Sequence, residues 1–488
     1  MAATYQSADP FASVAFKTFE AFVTKALQSP VTCSPNEFER FEGELHQIMA
    51  ALEADIVGRR LEQYDVDAEE IEVHGDLFRR KDQYEKEYHG LSGSFTVKRT
   101  LYVPRGVCGR GIVPLEYRAG IVEGAWTPRL ARVMARSVAA TTPREAAELF
   151  EEFGGYKPSP SSLDRVPKAL SEIWESQREF FDQDIREQET VPSEAVAVGV
   201  SLDGVLVPMQ GESLTDGDDR GSTKRKRKAT KGPAGYQEAS CGTISFYDAD
   251  GERLETVRYA RAPEHKKATL KSQLKAELES IFAVRPDLTL VCLSDGALDH
   301  WEFLDELGES LGVEDVRRAT DFFHVAEHVK KALDVYHGQD SAESRAEFEK
   351  HRIWLKEEKD GAERVLRALR YRRNQLRGSR KAAITKEINH IAKGKKDGLL
   401  GYKELRDDNL PIGSGIVEAA CKTLVTERLK RSGMNWGQDC RGAQAILTLR
   451  SLIQSNRWEQ GWRILSRQYC PKVRVTACPP ENRRKHAA

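Results

Sequence analysis

The N-terminal region carries its apolar residues at helical spacing. They recur every three or four positions, with acidic residues between them, at Phe38, Phe41, Leu45, Ile48, Met49 and Leu52. This period predicts helices over residues 1–90. The period shortens to two in the segment 92–116, where turn residues in the middle predict a pair of strands within a small β element at 91–125.

Two short helices are predicted next, within the region 126–190. Pro143 begins the first, which ends at Gly154 and Gly155, and a serine cluster at 159–162 begins the second. Pro167 counts against a regular second helix or moves its start later. Two helices around a glycine-containing turn are typical of a helix-turn-helix that enters a DNA groove, and an ordinary helical hairpin is the alternative.

Strands and helices alternate from residue 191 to 340. β-branched runs predict strands, and amphipathic segments between them predict helices. The predicted strands are 195–207, 239–247, 255–259, 288–293 and 317–323, and the predicted helices are 266–282, 299–307 and 325–336. Three antiparallel strands followed by β-α-β-α units indicate a mixed sheet with helices on both faces.

Highly charged helices interrupt this pattern, and amphipathic helices resume after a turn-rich linker. We therefore predict a multidomain α+β protein with these parts: a helical N-terminal region (1–90), a small β element (91–125), a helix-turn-helix-like DNA-binding region (126–190), a first core part (191–340), a basic helical insertion (341–408), a second core part (409–470) and a basic tail (471–488). The tail is predicted to be loose.

Composition excludes several classes of protein. The chain has 488 residues, which suggests roughly three domains. Its 75 basic and 76 acidic residues give a net charge of -1. Hydrophobic residues make up 40% of the chain and charged residues 31%, a balance that is typical of a soluble globular protein. No apolar run approaches the ~20 residues of a membrane span, and the N-terminus lacks a signal-peptide pattern. Eight cysteines without a CxxC pair indicate reduced thiols, so we expect a cytoplasmic protein.

Three acidic residues occupy positions where an open sheet presents ligands. Asp203 and Asp295 end predicted strands, and Glu418 lies in the first turn of a helix that follows a turn. Sites gather at the carboxyl ends of strands, and three carboxylates from separate segments suit two hard cations about 3.5–4 Å apart. Each acid also has a structural alternative. An Asp-Gly pair after a strand is a turn signal, and Glu418 complements a helix N-terminus or pairs with Lys422.

Basic residues near these acids are candidates for DNA contact, because cations that neutralise phosphates bind DNA without reading its sequence. The candidates are Lys224, Arg225, Lys226, Arg227, Lys228, Lys231, Arg428, Lys430 and Arg431. We expect them to line one face together with the basic stretch 370–396. The alternative for the run that begins at Lys224 is a solvated surface loop. In the predicted helix-turn-helix, Arg165 and Lys168 are the candidates for sequence preference.

The segment around Glu418 is distinctive: it reads LPIGSGIVEAACK at 410–422, and RLKRSGMNW follows at 428–436. It resembles the C-terminal catalytic motif of bacterial insertion-sequence transposases, in the Kra-type branch of the DDE superfamily. VSLDGV at 200–205 and LSDGA at 293–297 resemble the two Asp motifs of that family. DFFHV at 321–325 resembles the segment that follows the second Asp motif. The resemblance covers about residues 190 to 465.

The resemblance implies a ribonuclease-H-like core with a helical insertion before the Glu, which agrees with the interruption at 341–408. It implies that Asp203, Asp295 and Glu418 are the catalytic residues and hold two Mg²⁺ ions, with Mn²⁺ as a substitute. Asp321 and His324 are accessory candidates, and a satisfied core histidine is the alternative for His324.

The implied activity is metal-dependent cleavage and transfer of DNA strands. The implied partners are double-stranded DNA, as terminal inverted repeats and as target, and further copies of the chain in a homodimer or higher oligomer on the nucleoid. No membrane is implied. The alternatives are a ribonuclease-H-like nuclease or resolvase, and a domesticated DNA-binding regulator with a silent core.

Overall fold

The computed structural model describes residues 13–30, 34–106, 109–210 and 235–477. The chain forms two compact units, residues 1–181 with 458–488, and residues 182–457. The protein is a multidomain α+β protein with two sheets. None of the helices in the described part combines the length and the apolar character that a bilayer crossing requires.

The first unit surrounds a four-stranded antiparallel sheet in the order β3-β2-β1-β9. Its elements are α1 (Val14–Gln28), α2 (Pro35–Glu62), β1 (Glu70–Val73), β2 (Asp76–His89), β3 (Ser94–Pro104), α3 (Pro114–Ala119), α4 (Pro128–Ala140), α5 (Pro143–Glu152), α6 (Pro160–Ser176), α18 (Trp458–Gln468) and β9 (Val473–Ala477), while α7 (Arg178–Gln188) crosses into the second unit.

Several predictions for this unit are wrong. Helices end at Glu62, and residues 70–89 form β1 and β2. Only Phe78 and Tyr88 are buried in β2, so the strand has little hydrophobic pattern of its own. Pairing with β3 therefore makes this segment a strand. The second predicted strand of that pair is reduced to a single bridge from Ile112 to Tyr102, and Pro114 begins α3. The tail is ordered as far as Ala477, since β9 pairs with β1.

The two helices of the predicted helix-turn-helix are present as α5 and α6. Thr142 caps α5 in a capping box with Glu145, and the Ser159 hydroxyl caps α6. Pro167 lies inside a continuous α6, contrary to the prediction. Its ring is buried together with neighbours such as Leu163 and Leu170, and this burial offsets the backbone hydrogen bond that proline cannot donate.

The second unit contains the predicted mixed sheet, in the order β6-β5-β4-β7-β8. The first three strands are antiparallel, while β7 is parallel to both β4 and β8. Its elements are β4 (Ala197–Pro208), β5 (Tyr236–Tyr247), β6 (Arg253–Arg261), α8 (Ala268–Val284), β7 (Thr289–Ser294), α9 (Leu298–Leu311), β8 (Val316–Thr320), α10 (Phe322–His337), α11 (Ala342–Glu357), α12 (Gly361–Asn374), α13 (Gly378–Lys396), α14 (Tyr402–Asp407), α15 (Gly415–Ala420), a π-helical segment (Cys421–Thr426), α16 (Glu427–Leu429) and α17 (Arg441–Gln454).

Alternating side chains divide the core of this unit between the two faces of the sheet, as predicted. Val198, Val200 and Leu202 belong to one apolar cluster with residues of α8 and α9. Ala197 and Val291 belong to the other cluster, with residues of α10 to α13. Successive strand residues point to opposite faces. Odd-numbered positions of β4 and β7 therefore face α10 and the helical insertion.

Candidate active site

Asp203 and Asp295 lie beside each other in the sheet. Parallel pairing of β4 with β7 joins Ala197 to Thr289 and continues to Ser201 and Leu293. Extending this register by two residues brings Asp203 opposite Asp295, on the face that α10 and α13 cover. Asp203 does not end its strand as predicted, because β5 continues to pair with β4 as far as Pro208.

The two Asp-Gly pairs differ in conformation. Gly204 is paired in β4 and donates its N–H to Asp203 Oδ1 at 2.6 Å, so this pair is not a turn. Gly296 has a φ of +98°, and Asp295 Oδ1 accepts the Ala297 N–H at 3.1 Å. The second pair is therefore a turn that an Asp side chain stabilises, as the structural alternative predicted.

Glu418 lies on the short helix α15, which packs against β4 and β5. The π-helical segment follows it directly. Such segments are rare and occur frequently at functional sites. Glu418 itself is exposed, whereas Val417 and Ala420 are buried beside it. Packing of the buried residues leaves the Glu418 side chain on the solvent side of α15.

The charge of Asp203 interacts with that of Asp295 and with that of Glu418. Burial raises the pKa of Asp203, and the negative charge of Asp295 raises it further. Burial also raises the pKa of Glu418, and the charges of Asp321 and Asp203 add to this effect. The three carboxylates therefore belong to one electrostatic cluster whose negative charge is only partly balanced by protein groups.

Asp295 differs from the other two acids because His300 stabilises its ionised form. Burial tends to raise the pKa of Asp295, but the neighbouring His300 imidazole and the hydrogen bond from the Ala297 N–H hold it well below its usual range. The Lys267 ammonium lies 2.6 Å from His300 Nε2, and lysine is only a donor. On the other side of the ring, Nδ1 of His300 lies 3.3 Å from the Ser294 hydroxyl and 3.6 Å from Asp295 Oδ1.

The sequence analysis did not identify Lys267 or His300. His300 follows Asp295 by five residues, at the first turn of α9, so proximity along the chain was an available signal. No sequence signal of this kind pointed to Lys267. Its segment reaches the site only through the pairing of β4 with β5 and β7. The sequence analysis also missed the Cys421 thiol, whose hydrogen bond to Asp203 lowers the pKa of that acid.

Asp321 and His324, the predicted accessory residues, have different surroundings. Asp321 is 1% exposed, and its Oδ1 accepts the His324 N–H at 2.7 Å, which caps α10. Its Oδ2 accepts the Ser414 N–H and, at 2.7 Å, the Ser414 hydroxyl. Asp321 thus joins the start of α10 to the loop just before α15, the helix that carries Glu418.

His324 is half-buried and its charge lowers the pKa of both Asp295 and Glu418, so its ring lies near the acids. Its Nε2 is 3.3 Å from His328 Nε2, and a third histidine, His390 of α13, completes a cluster. Among the described residues, these three side chains are the one set of His, Cys, Asp or Glu whose ligand atoms all lie within 4.8 Å of one another. Asp203, Asp295 and Glu418 are not such a set.

The predicted DNA-contact residues lie in different surroundings. Lys224, Arg225, Lys226, Arg227, Lys228 and Lys231 are outside the described residues. Lys430 is exposed, and Arg431 is half-buried. Arg428 is 2% exposed, lies over the Trp436 ring and donates to Met434 Sδ at 3.4 Å. Arg428 is therefore a packing residue in this structure and not a surface cation.

In the first unit, Arg165 is exposed and lies over the Trp126 ring, and Lys168 pairs with Asp164 at 2.6 Å. In the helical insertion, part of the positive charge is neutralised locally. Arg372 and Lys395 form ion pairs with glutamates of neighbouring helices. The positive potential that this stretch presents is correspondingly weaker than its own charge count suggests.

No protein-family model and no curated protein matches the sequence. The solved structures that are similar to part of it include two Mos1 transposase complexes. The Mos1 transposase paired-end complex with the left transposon end is 12% identical, with 56% of this chain and 78% of that chain covered and a TM-score of 0.15. The Mos1 mariner paired-end complex with Mn is 12% identical, with coverage of 60% and 82% and a TM-score of 0.16. Similarity at these TM-scores establishes neither a shared fold nor a shared function.

Proposed function

We propose that the chain is a DNA transposase of the DDE class, which cleaves and transfers DNA strands by metal-assisted phosphoryl transfer. The observation that carries the proposal is the joint position of the three acids. Asp203 and Asp295 are neighbours in the register of β4 and β7, and Glu418 is electrostatically coupled to Asp203. Their motifs are the ones that resemble this family of enzymes.

The sheet topology supports the proposal. The mixed sheet with the order β6-β5-β4-β7-β8 is compatible with the ribonuclease-H-like core that the resemblance implies. In such a core the acids come from the central strand, from the next parallel strand and from a later helix. In the proposed core, β4, β7 and α15 would be these three elements, and the helices α11 to α13 would be the insertion before the last acid.

The donor set fits hard divalent cations. Carboxylate oxygens are the ligands that Mg²⁺ and Mn²⁺ prefer, and the raised pKa values of Asp203 and Glu418 mark negative charge that a cation would neutralise. Asp203, Asp295 and Glu418 would hold the ions. When bound, such ions activate a water or a DNA 3′-hydroxyl and stabilise the leaving oxygen.

The protein groups around the acids have defined tasks in this proposal. The neighbouring imidazole of His300 keeps Asp295 ionised, and Lys267 holds His300 in place through its other ring nitrogen. Asp321 positions Glu418 through Ser414. The first unit, with α5 and α6, would recognise the terminal repeats of the element, and several chains would assemble on them.

The test is cleavage of a plasmid that carries the genomic sequences flanking this gene on both sides. The wild-type chain should cleave at the ends of those flanks in Mg²⁺ or Mn²⁺. Asp203→Asn and Glu418→Gln should abolish cleavage, because each removes a metal ligand. Binding to the same DNA in Ca²⁺ should persist.

The matched control is Glu314→Gln, an exposed acid at the other end of the parallel strands. It should leave cleavage unchanged. Cleavage by Asp203→Asn at the wild-type rate would remove that residue from the mechanism. Metal-dependent cleavage at branched DNA without any at the flanks would indicate a resolvase, and binding without cleavage in any metal would indicate a regulator with a silent core.

A further inference from the structure

We propose that His324, His328 and His390 form a second metal site, separate from the three carboxylates, that binds one Zn²⁺ ion and joins α13 of the helical insertion to α10 of the core. The ligand atoms of the three rings lie within 4.8 Å of one another. Two of the rings come from α10, and the third comes from α13.

The spacing of the two α10 histidines suits a tetrahedral ion. His324 and His328 are four residues apart and therefore lie on the same face of the helix. Their Nε2 atoms are 3.3 Å apart, and the rings are nearly perpendicular at 83°. Zn–N bonds of about 2.0–2.1 Å at tetrahedral angles separate two ligand nitrogens by about 3.3 Å.

An acidic partner orients the central ring. Glu387 Oε2 lies 2.5 Å from His328 Nδ1, so this carboxylate accepts the Nδ1–H. Nε2 of His328 then carries the lone pair, and it is the atom that faces His324. Histidines that bind metal regularly donate their other ring N–H to a carboxylate, which fixes the tautomer and increases the basicity of the ligand.

His390 must turn to complete the site. Its ring is stacked on that of His328, with centroids 3.8 Å apart and planes at 23°. A metal lies near the plane of each imidazole that binds it, so two stacked rings cannot share one ion until one of them rotates. A cavity lined by His390, Gly296 and Lys393 borders the ring and provides the room. A water or another oxygen ligand would take the fourth position.

The ligand type separates this site from the carboxylates. Imidazole nitrogens favour Zn²⁺ and similar transition metals, whereas carboxylates favour Mg²⁺ and Mn²⁺. An ion bound here would join two segments about sixty residues apart in sequence (390 − 328 = 62). It would also fix His324 beside Asp295 and Glu418, so its role is one of positioning.

The experiment is a Co²⁺ titration of the metal-stripped full chain in excess Mg²⁺, which occupies the carboxylates. Co²⁺ reports tetrahedral nitrogen ligation by a strong visible absorption band. We expect one equivalent to bind with this band and Zn²⁺ to displace it. His328→Ala and His390→Ala should abolish the band, and Glu387→Gln should weaken affinity by about 10–100-fold.

The controls are His265→Ala, an exposed histidine outside the cluster, and Asp203→Asn, and both should retain the band. If His390→Ala does not fold by circular dichroism, His390→Gln replaces it. The proposal would be overturned if the wild-type chain showed no band, or if the folded His328 and His390 variants kept it. Either result would favour a metal-free hydrogen-bond relay from Glu387. No DNA is present, so the result is independent of the proposed transposase activity.

Discussion

Replacing Asp321 with asparagine should loosen the segment that carries Glu418. The carboxylate accepts hydrogen bonds at both oxygens, from the His324 N–H on one side and from Ser414 on the other. Asparagine has one acceptor oxygen, and its NH₂ group then faces a backbone N–H on the other side. That buried N–H loses its acceptor, which costs about 1–3 kcal/mol.

The remaining hydrogen bonds change from charge-assisted to neutral, which removes roughly 1 kcal/mol more. We therefore expect Asp321→Asn to lower the free energy of unfolding by about 2–4 kcal/mol. α15 begins at Gly415, directly after Ser414, so the lost anchor should also displace Glu418. Misplacement of a catalytic group by about 1 Å costs on the order of 100-fold in rate.

The assays are urea unfolding and the rate of DNA cleavage at saturating DNA. The matched control is Ser341→Ala, because Ser341 caps α11 in the same way but does not contact the Glu418 loop. It should cost about 1 kcal/mol and leave cleavage unchanged. Wild-type stability of Asp321→Asn, or a loss of cleavage no greater than in the control, would refute the positioning role of Asp321.

Three further variants test the electrostatics and the core of the second unit. Without metal, Asp203→Asn should raise the thermal midpoint at neutral pH. Folding raises the pKa of Asp203, and such a carboxyl destabilises the fold as pH rises above its unfolded pKa. A lower midpoint would contradict this expectation. His300→Asn should lower the free energy of unfolding at neutral pH but not in acid. The substitution raises the depressed pKa of Asp295, and the stability that the ionised Asp295 contributes is lost in any case as pH falls. Equal losses at both pH values would refute this reasoning. Arg457→Met should lower the free energy of unfolding in urea by about 3–5 kcal/mol, because it leaves the Glu277 carboxylate, which is 5% exposed, without its cation. A loss below about 1 kcal/mol would contradict that reasoning.

Much of the second unit was predictable from local sequence signals. The strands of its sheet are β-branched and apolar, and period and flanking turns predicted the five strands and the helices α8, α9 and α10 to within a few residues. The interval of 92 residues between Asp203 and Asp295 equals the register offset of β4 and β7, in which residue 197 pairs with residue 289. The two acids therefore lie opposite each other, a relation that the strand register of the structure shows.

Tertiary structure alone decided the rest. β2 is charged along most of its length and becomes a strand only because β3 and β1 pair with it. The sequence analysis identified Asp321 as an acid near the site, but its bonds to Ser414 depend on the packing of a loop that lies 93 residues further along the chain. The burial of Arg428 is likewise set by its neighbours in space.

The histidine cluster shows the same limit most clearly. His324 and His328 share a helix face by their spacing, but nothing in the period of α13 distinguishes His390 from a surface histidine. Its position depends on the packing of α13 against α10. Local sequence determines which segments become helices and strands, because propensity, period and caps act over a few residues. Distant segments pack by burying their apolar faces, and this packing decides which chemical groups meet. The free energy of that burial is summed over the whole core.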